Sequence, residues 1–284
     1  MNRTITRILL AIALALPAAW AQAAITCSTI TSGGWSTAYV PSTAATNITQ
    51  STFTITCQRN VGTDPTTLNF IVSVDNGLHF QGQQNRGANG ANLIAYENYQ
   101  DSGCTNIWKA SGGQRISGNM NLSGLLPTST TVSYWGCVPG SQAGLPAGTY
   151  TDTVGMTARN AVGGATLVTG SFNVSIFTPA VCNITQAPGT VAFTYAAFRL
   201  TAATASTTFG VTCTSLLPYA IALDAPSGVV AGLQYLVSLS GTSNTGTGAQ
   251  QSYTVNGTMP AGQAGTCATG TCSGTDTRTL TITY

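Results

Sequence analysis

The chain contains an internal repeat whose second copy is one strand shorter than the first. The segment STFTITC at residues 51–57 returns as TTFGVTC at residues 207–213, and a later segment TDTV returns as TDTR. The first copy then turns and continues through an apolar-rich stretch at residues 165–177, whereas the second copy ends after one short strand. A β-domain without its last strand exposes unpaired backbone groups and core side chains, so we expect a partner to supply a strand.

Short apolar segments separated by turn residues predict two β-sandwiches. Runs such as residues 68–74 and 130–137 alternate with clusters of Gly, Pro and Asn, and no segment has a convincing amphipathic helical pattern. A length of 284 residues suits two domains of roughly 100–150 residues each. Pro179 interrupts the strand pattern between the repeats. We therefore predict an all-β chain with one domain at residues 24–177 and a second, lacking its last strand, at residues 178–284.

The first 23 residues have the pattern of a signal peptide. Arg3 and Arg7 precede an apolar stretch at residues 8–16, and residues 21–23 form a small-x-small cleavage site. The apolar stretch is too short for a membrane-spanning helix. We expect export and a mature chain from Ala24, in which loss of two of the nine basic residues leaves seven, equal to the seven acidic ones. A neutral, charge-poor chain offers no basic surface for nucleic acid.

Eight cysteines follow the signal peptide, four in each repeat, and an even number in an exported chain predicts disulfides. In each repeat one cysteine begins the first strand and another ends the second strand, so antiparallel neighbours would bring them together. The remaining cysteines then pair within their own repeats. The predicted disulfides join Cys27 with Cys57, Cys104 with Cys137, Cys182 with Cys213, and Cys267 with Cys272. With a single histidine and no Cys-x-x-Cys motif, we expect neither zinc nor another cofactor.

The titratable residues form no recognisable catalytic arrangement. His79, the only histidine, lies in a Gly-Leu-His-Phe segment typical of a loop. Glu97 and Asp101 are four residues apart in a strand-to-loop context, which does not define a pair of catalytic carboxylates. Asp152 and Asp276 occupy equivalent repeat positions, which favours a structural role. We therefore do not expect an enzyme.

Several motifs resemble those of the spore coat U domain family. They are Cys-x-Ile at residues 182–184, FGVTC at 209–213, PAGTYTDT at 146–153 and a last strand ending in Tyr284. The resemblance covers nearly the whole mature chain. Family members include subunits of archaic chaperone–usher pili, and two tandem copies resemble the two-domain tip adhesin of such pili. The second repeat departs from the pattern at residues 270–272, where Gly-Thr-Cys replaces Gly-Thr-Tyr.

The resemblance implies immunoglobulin-like sandwiches that assemble by donor-strand complementation. A periplasmic chaperone would fill the groove of the second domain first, and a strand from a neighbouring pilin subunit would replace it at the outer-membrane usher. The groove would be lined by the first strand near Ile184 and by the last strand through Leu280 and Ile282. The chaperone would hold the C-terminal residue, Tyr284.

The length of chain before the first cysteine predicts a position at the end of a fibre. Only residues 24–26 precede Cys27 in the expected mature chain. Such a segment is too short to donate a strand, so the subunit would accept a strand without offering one. We therefore expect a pilus tip on the cell surface, with the first domain projecting outward.

Three loops of the first domain should meet at its far end. Its last strand must run toward the second domain, so alternating strand directions place the loops at residues 58–66, 123–129 and 160–164 together. These loops carry apolar residues where polar ones are expected, and exposed apolar clusters mark interaction sites. The candidate binding residues are Val61, Leu125, Leu126, Pro127, Ala161 and Val162. We expect them to bind apolar abiotic or host surfaces.

Two alternatives compete with this interpretation. One is a surface lectin, because aromatic faces commonly stack on sugars and the first domain is rich in aromatic residues. The candidates for such a site are Trp35, Tyr39, Trp108, Tyr134 and Trp135. The other alternative is a secreted, coat-like structural protein without a binding tip.

Overall fold

The computed structural model describes residues 25–110, 112–267 and 270–284, so the predicted signal peptide at residues 1–23 lies outside the described part of the chain. The described residues form eighteen β-strands and one 3₁₀ helix at Gly112–Gln114, which confirms the all-β prediction. None of these residues belongs to a helix long and apolar enough to cross a lipid bilayer.

The first ten strands form what we call the N-terminal unit. They are β1 (Ile25–Ser32), β2 (Trp35–Ala38), β3 (Asn47–Arg59), β4 (Thr67–Val74), β5 (Asn85–Asn89), β6 (Asn92–Tyr99), β7 (Ile116–Asn121), β8 (Thr128–Val138), β9 (Gly148–Asn160) and β10 (Thr166–Thr178). Their order is β1-β3-β8-β6-β5-β9-β10-β2, with β4 joining β7 to β9. The strands surround one core whose centre includes the stacked rings of Phe53 and Trp108, 5.4 Å apart between centroids.

Strand β10 closes the N-terminal unit and corresponds to the apolar stretch noted in the sequence. It runs antiparallel to β9 over its whole length, from Thr166 to Thr178. On its other side it pairs in parallel with β2. Its alternate side chains Phe172, Val174 and Ile176 are 3%, 0% and 0% exposed. A two-residue period with one buried face is the pattern of a core-covering strand.

The remaining strands form the C-terminal unit. They are β11 (Cys182–Gln186), β12 (Ala203–Cys213), β13 (Pro218–Leu223), β14 (Ser227–Val230), β15 (Leu233–Leu239), β16 (Ser243–Thr245), β17 (Gln250–Met259) and β18 (Leu280–Thr283). One sheet has the order β11-β12-β17-β15-β14 and the other β16-β13-β18. Strand β18 is therefore an edge strand, bonded to β13 on one side and to no described strand on the other.

The predicted disulfides are all present. Cys27 lies directly opposite Cys57 in the β1–β3 ladder, and Cys182 lies opposite Cys213 in the β11–β12 ladder. The Cα–Cα distances of these two pairs are 3.9 and 4.1 Å. Each bond thus joins neighbouring antiparallel strands, which is the geometry that the spacing predicted.

Candidate functional site

Each unit contains a hydrogen-bonded Tyr–Asp pair. The two pairs show which segments near the end of each unit correspond to one another. In the N-terminal unit the Tyr96 hydroxyl donates to Asp152 Oδ2 over 2.6 Å. In the C-terminal unit the Tyr235 hydroxyl donates to Asp276 Oδ2 over 2.5 Å. Both carboxylates therefore serve the structural role that their equivalent repeat positions suggested.

The strand registers give the same alignment. Ala158 of β9 lies opposite Val72 of β4, and Ile282 of β18 lies opposite Ile221 of β13. Both registers and the Tyr–Asp pairs place β18 where β9 lies, with a constant offset along the chain. By this offset the last residue, Tyr284, corresponds to Asn160.

A second tyrosine in each unit makes an equivalent hydrogen bond. This bond shows which segment of the C-terminal unit corresponds to β2. The Tyr39 hydroxyl donates to the Pro139 carbonyl over 2.8 Å, and the Tyr195 hydroxyl donates to the Pro260 carbonyl over 2.6 Å. Strand β2 therefore corresponds to residues 191–194.

Glycines beneath these segments support this match. A Cβ on Gly136 would meet the Trp35 ring at 2.1 Å, and a Cβ on Gly257 would meet Val191 and Phe193 at 2.6 Å. Each glycine thus makes room for the side chains that cross above it.

No described strand of the C-terminal unit occupies the place that β10 fills in the N-terminal unit. A cavity of about 870 Å³ lies between residues 191–195 and the segment at residues 270–280, which leads into β18. We call it the strand groove. Its apolar lining includes Val191, Phe193, Leu223, Leu233, Met259 and Leu280, and its polar lining includes Tyr235, Asp276 and Arg278. The segment at residues 191–195 is extended, with alternate side chains half-buried, but it belongs to no strand.

The four residues predicted to line the groove have different positions. Leu280 lines the strand groove. Ile282 is half-buried against the core of the C-terminal unit, on the same strand but outside the cavity lining. Ile184 pairs with Val211 and is 42% exposed, and Tyr284 is 58% exposed; neither lines the cavity.

Val191, Phe193 and Tyr195 form a wall of the groove that was not predicted from the sequence. The signal for it was the alternation of large side chains at these three positions, which follows Pro188 and Gly189. That alternation is short and is followed by alanines of helical composition, so its period of two is easy to miss.

The three loops that carry the predicted binding residues lie at one end of the N-terminal unit. The Leu122 N–H donates to the Thr66 carbonyl over 2.6 Å, and the Ala161 N–H donates to the Asn69 carbonyl over 2.9 Å. The buried Arg59 guanidinium donates to the carbonyls of Gly62 and Leu122 and so ties two of the loops together. This end is opposite the end of β10 that leads to the C-terminal unit.

The predicted binding residues are exposed at this end. Leu126, Val162, Leu125 and Val61 are 80%, 76%, 53% and 53% exposed, and Pro127 and Ala161 are also exposed. We call these six residues the apolar tip. A cavity of about 330 Å³ opens at the same end, lined in part by Ile25, Pro65 and Leu167.

The aromatic residues suggested for a lectin site are mostly core residues. Trp35, Tyr39, Trp108 and Tyr134 are 5% exposed or less, and Trp135 is half-buried. The Trp108 and Tyr134 rings pack 5.0 Å apart inside the N-terminal unit. Buried rings present no face to a sugar, so Trp35, Tyr39, Trp108 and Tyr134 do not supply the glycan site of the lectin alternative.

The titratable residues singled out in the sequence are each held by local contacts. Asp152 accepts hydrogen bonds from Tyr96 and from the Leu78 N–H, and His79 Nδ1 lies 3.4 Å from it. Glu97 is paired with Lys109 at 3.2 Å. The backbone N–H groups of Thr105 and Asn106 hold the pKa of the exposed Asp101 carboxyl at about 2. Each carboxylate thus holds local structure.

No group of three or more His, Cys, Asp or Glu side chains in the described ranges could hold a metal ion. Within these ranges, the strand groove and the apolar tip are the two candidate sites.

Residues 12–157 and 168–243 match the Spore Coat Protein U domain. The chain is similar in structure to one in the CsuC–CsuE chaperone–tip adhesion subunit pre-assembly complex from archaic chaperone–usher Csu pili of Acinetobacter baumannii. That similarity has a TM-score of 0.51 at 15% identity and covers 90% of this chain and 100% of that chain. The CupB6 tip adhesin from Pseudomonas aeruginosa gives a TM-score of 0.43 at 11% identity, covering 90% and 94%. No curated protein matches the sequence.

Proposed function

Because the chain belongs to the Spore Coat Protein U domain family, we propose that it is the tip adhesin subunit of a chaperone–usher pilus. Residues 178–284 are the pilin domain that accepts a strand through the strand groove. Residues 24–177 are the adhesin domain that attaches through the apolar tip.

The observation that carries this proposal is the open position beside β18. In the N-terminal unit the equivalent position holds β10, bonded to β9 on one side and β2 on the other. In the C-terminal unit the same two flanks border a cavity lined by apolar side chains. An unpaired strand edge beside uncovered core is the surface that an added strand fits.

Strand insertion is driven by apolar burial and new backbone hydrogen bonds. The three inward side chains of β10, Phe172, Val174 and Ile176, are almost completely buried. Burying a side chain of this size contributes about 1.5–3 kcal/mol. An incoming strand with similar side chains would gain a comparable amount, less the entropy lost in ordering it.

The proposed partners follow from the uncovered groove. A periplasmic chaperone would cover it first, as a chaperone is present in the Csu pre-assembly complex. A strand from a neighbouring pilin subunit would then replace the chaperone at the outer-membrane usher.

Strand β1 begins at Ile25 and is bonded to β3 along its length, so it is not free to act as a donor. This favours the tip of the fibre, exported through the periplasm to the cell surface.

The apolar tip would supply attachment to host or abiotic surfaces. Its six residues are exposed on three loops at the end of the N-terminal unit opposite the end of β10 that leads to the C-terminal unit. Contact with an apolar surface removes these side chains from water and needs no charge complementarity.

Strand acceptance can be tested with a peptide of the chain's own β10 sequence, residues 166–178. We expect the labelled peptide to bind the whole chain, and a Leu280→Asp variant to lose most of this binding. The reason is that Leu280 lines the strand groove, where an ionised carboxylate would be desolvated by the entering strand. Fluorescence anisotropy of the peptide measures the binding.

Thr281→Asp is the matched control, because Thr281 lies on the same strand but is exposed. This variant should bind the peptide as the unaltered chain does. Equal binding by all three proteins, or failure of the unaltered chain to bind both this peptide and its Phe172→Leu form, would show that the groove is not a strand acceptor.

A further inference from the structure

The strand groove carries a charged side chain where the N-terminal unit has an apolar one. Val154 of β9 is fully buried and lies opposite Phe172 of β10. By the offset that aligns Asp152 with Asp276, the equivalent of Val154 is Arg278. A guanidinium thus lines the groove at the position where the closing strand of the N-terminal unit presents an aromatic ring.

Arg278 is held in place by three neighbours, of which Tyr235 and Asp276 also border the groove. Its Nε donates to the Tyr235 hydroxyl over 2.7 Å. Its Nη2 donates to the Ser227 carbonyl over 2.8 Å and to Asp276 Oδ2 over 2.7 Å. The guanidinium also lies over the Tyr235 ring, 5.4 Å from the centroid. These contacts fix its orientation and balance its charge with Asp276.

An entering strand would bury this guanidinium. The Arg278 side chain is 23% exposed, whereas Val154, which has β10 beside it, is fully buried. Buried N–H groups without acceptors are costly. The contacts with described residues use Nε and Nη2, so the N–H groups of Nη1 need an acceptor from the strand that enters.

Size and charge narrow the choice of that acceptor. Arginine is larger than valine, so less room remains opposite Arg278 than Phe172 has opposite Val154. Arg278 and Asp276 already form a neutral ion pair. A second carboxylate would leave an unbalanced buried negative charge, which is unfavourable. A neutral oxygen acceptor of moderate size satisfies both conditions.

We propose that the strand groove selects a strand from another subunit that places Asn, Gln, Ser or Thr opposite Arg278, between apolar side chains on the same face. The proposal rests on strand acceptance as the function of the groove. Arg278 would then determine which subunit's strand binds in the strand groove, because it would not bind every strand equally.

The test compares two peptides of residues 166–178, one with Phe172→Gln and one with Phe172→Leu. Glutamine supplies an acceptor oxygen, whereas leucine is of similar size and supplies none. We expect the Gln peptide to bind the unaltered chain about tenfold more tightly than the Leu peptide, because a hydrogen bond to a charged group is worth about that factor. In an Arg278→Val chain, which restores the side chain of Val154, the order should reverse.

The outcomes separate this inference from strand acceptance itself. The same peptide order in both proteins would overturn the role of Arg278 and leave the strand groove as an acceptor. Binding of neither peptide by either protein would overturn both. Far-ultraviolet circular dichroism checks that the Arg278→Val chain is folded, and Arg278→Leu provides the same comparison if it is not.

Discussion

Extending the chain beyond Tyr284 with a second copy of its residues 161–178 is expected to raise the melting temperature of the C-terminal unit by about 10 °C. Tyr284 corresponds to Asn160, so the copied turn would continue β18 as it continues β9. The copied strand would then lie between β18 and residues 191–194. A net gain of about 2 kcal/mol shifts the melting temperature of a domain of about 100 residues by roughly this amount. Differential scanning calorimetry measures it.

The gain should come from apolar burial in the strand groove. In the copied strand the equivalents of Val174 and Ile176 would enter the apolar part of the groove, whereas that of Phe172 would face Arg278. A matched control carries Ser at all three positions of the copy. This control has the same length and backbone, so it should melt close to the unextended chain. An equal rise for both extended chains would mean that the groove does not bind the strand through its apolar side chains.

Replacing Leu125 and Leu126 with Ser, and Val162 with Thr, is expected to reduce adhesion to polystyrene by tenfold or more. The three side chains are between 53% and 80% exposed, and contact with an apolar surface would bury them. Loss of about 1 kcal/mol at each position is sufficient for a reduction of that order. The melting temperature should change little, because exposed substitutions of this kind usually alter stability by less than about 0.5 kcal/mol. Detachment of protein-coated beads under flow measures adhesion.

The matched control removes equally exposed apolar side chains elsewhere. Leu200 and Leu216, in the C-terminal unit, are 95% and 66% exposed. A Leu200→Ser, Leu216→Ser variant should keep full adhesion to polystyrene. If both variants lost adhesion equally, attachment would reflect general hydrophobicity of the chain, and the apolar tip would have no special role.

Local pattern was sufficient to predict several features of the fold. The repeat, the alternation of short strands and the turn residues predict an all-β chain. Neighbouring antiparallel strands then explain why Cys27 meets Cys57 and Cys182 meets Cys213. Strand direction alternates with each turn, so the common end of the three tip loops could also be worked out without coordinates.

The groove lining could be predicted only in part. Leu280 follows from the apolar alternation of the last strand. The position of Ile184 in the first strand predicts a place in the groove, but that strand pairs with β12 and shifts register after Ile184. The chain then continues to the strand groove, where Val191 and Phe193 form the part of the lining that was expected to include Ile184.

The sequence by itself determined the all-β class and the cysteine pairs, because each depends on spacing and on a period of two along one segment. The tertiary structure alone decided which side chains face the groove, that Trp35, Tyr39, Trp108 and Tyr134 are core, and that Arg278 replaces Val154 beside the open position. These features depend on which sheet a segment joins and on which side chains pack against it. Such contacts join residues far apart in the chain, and no local pattern records them.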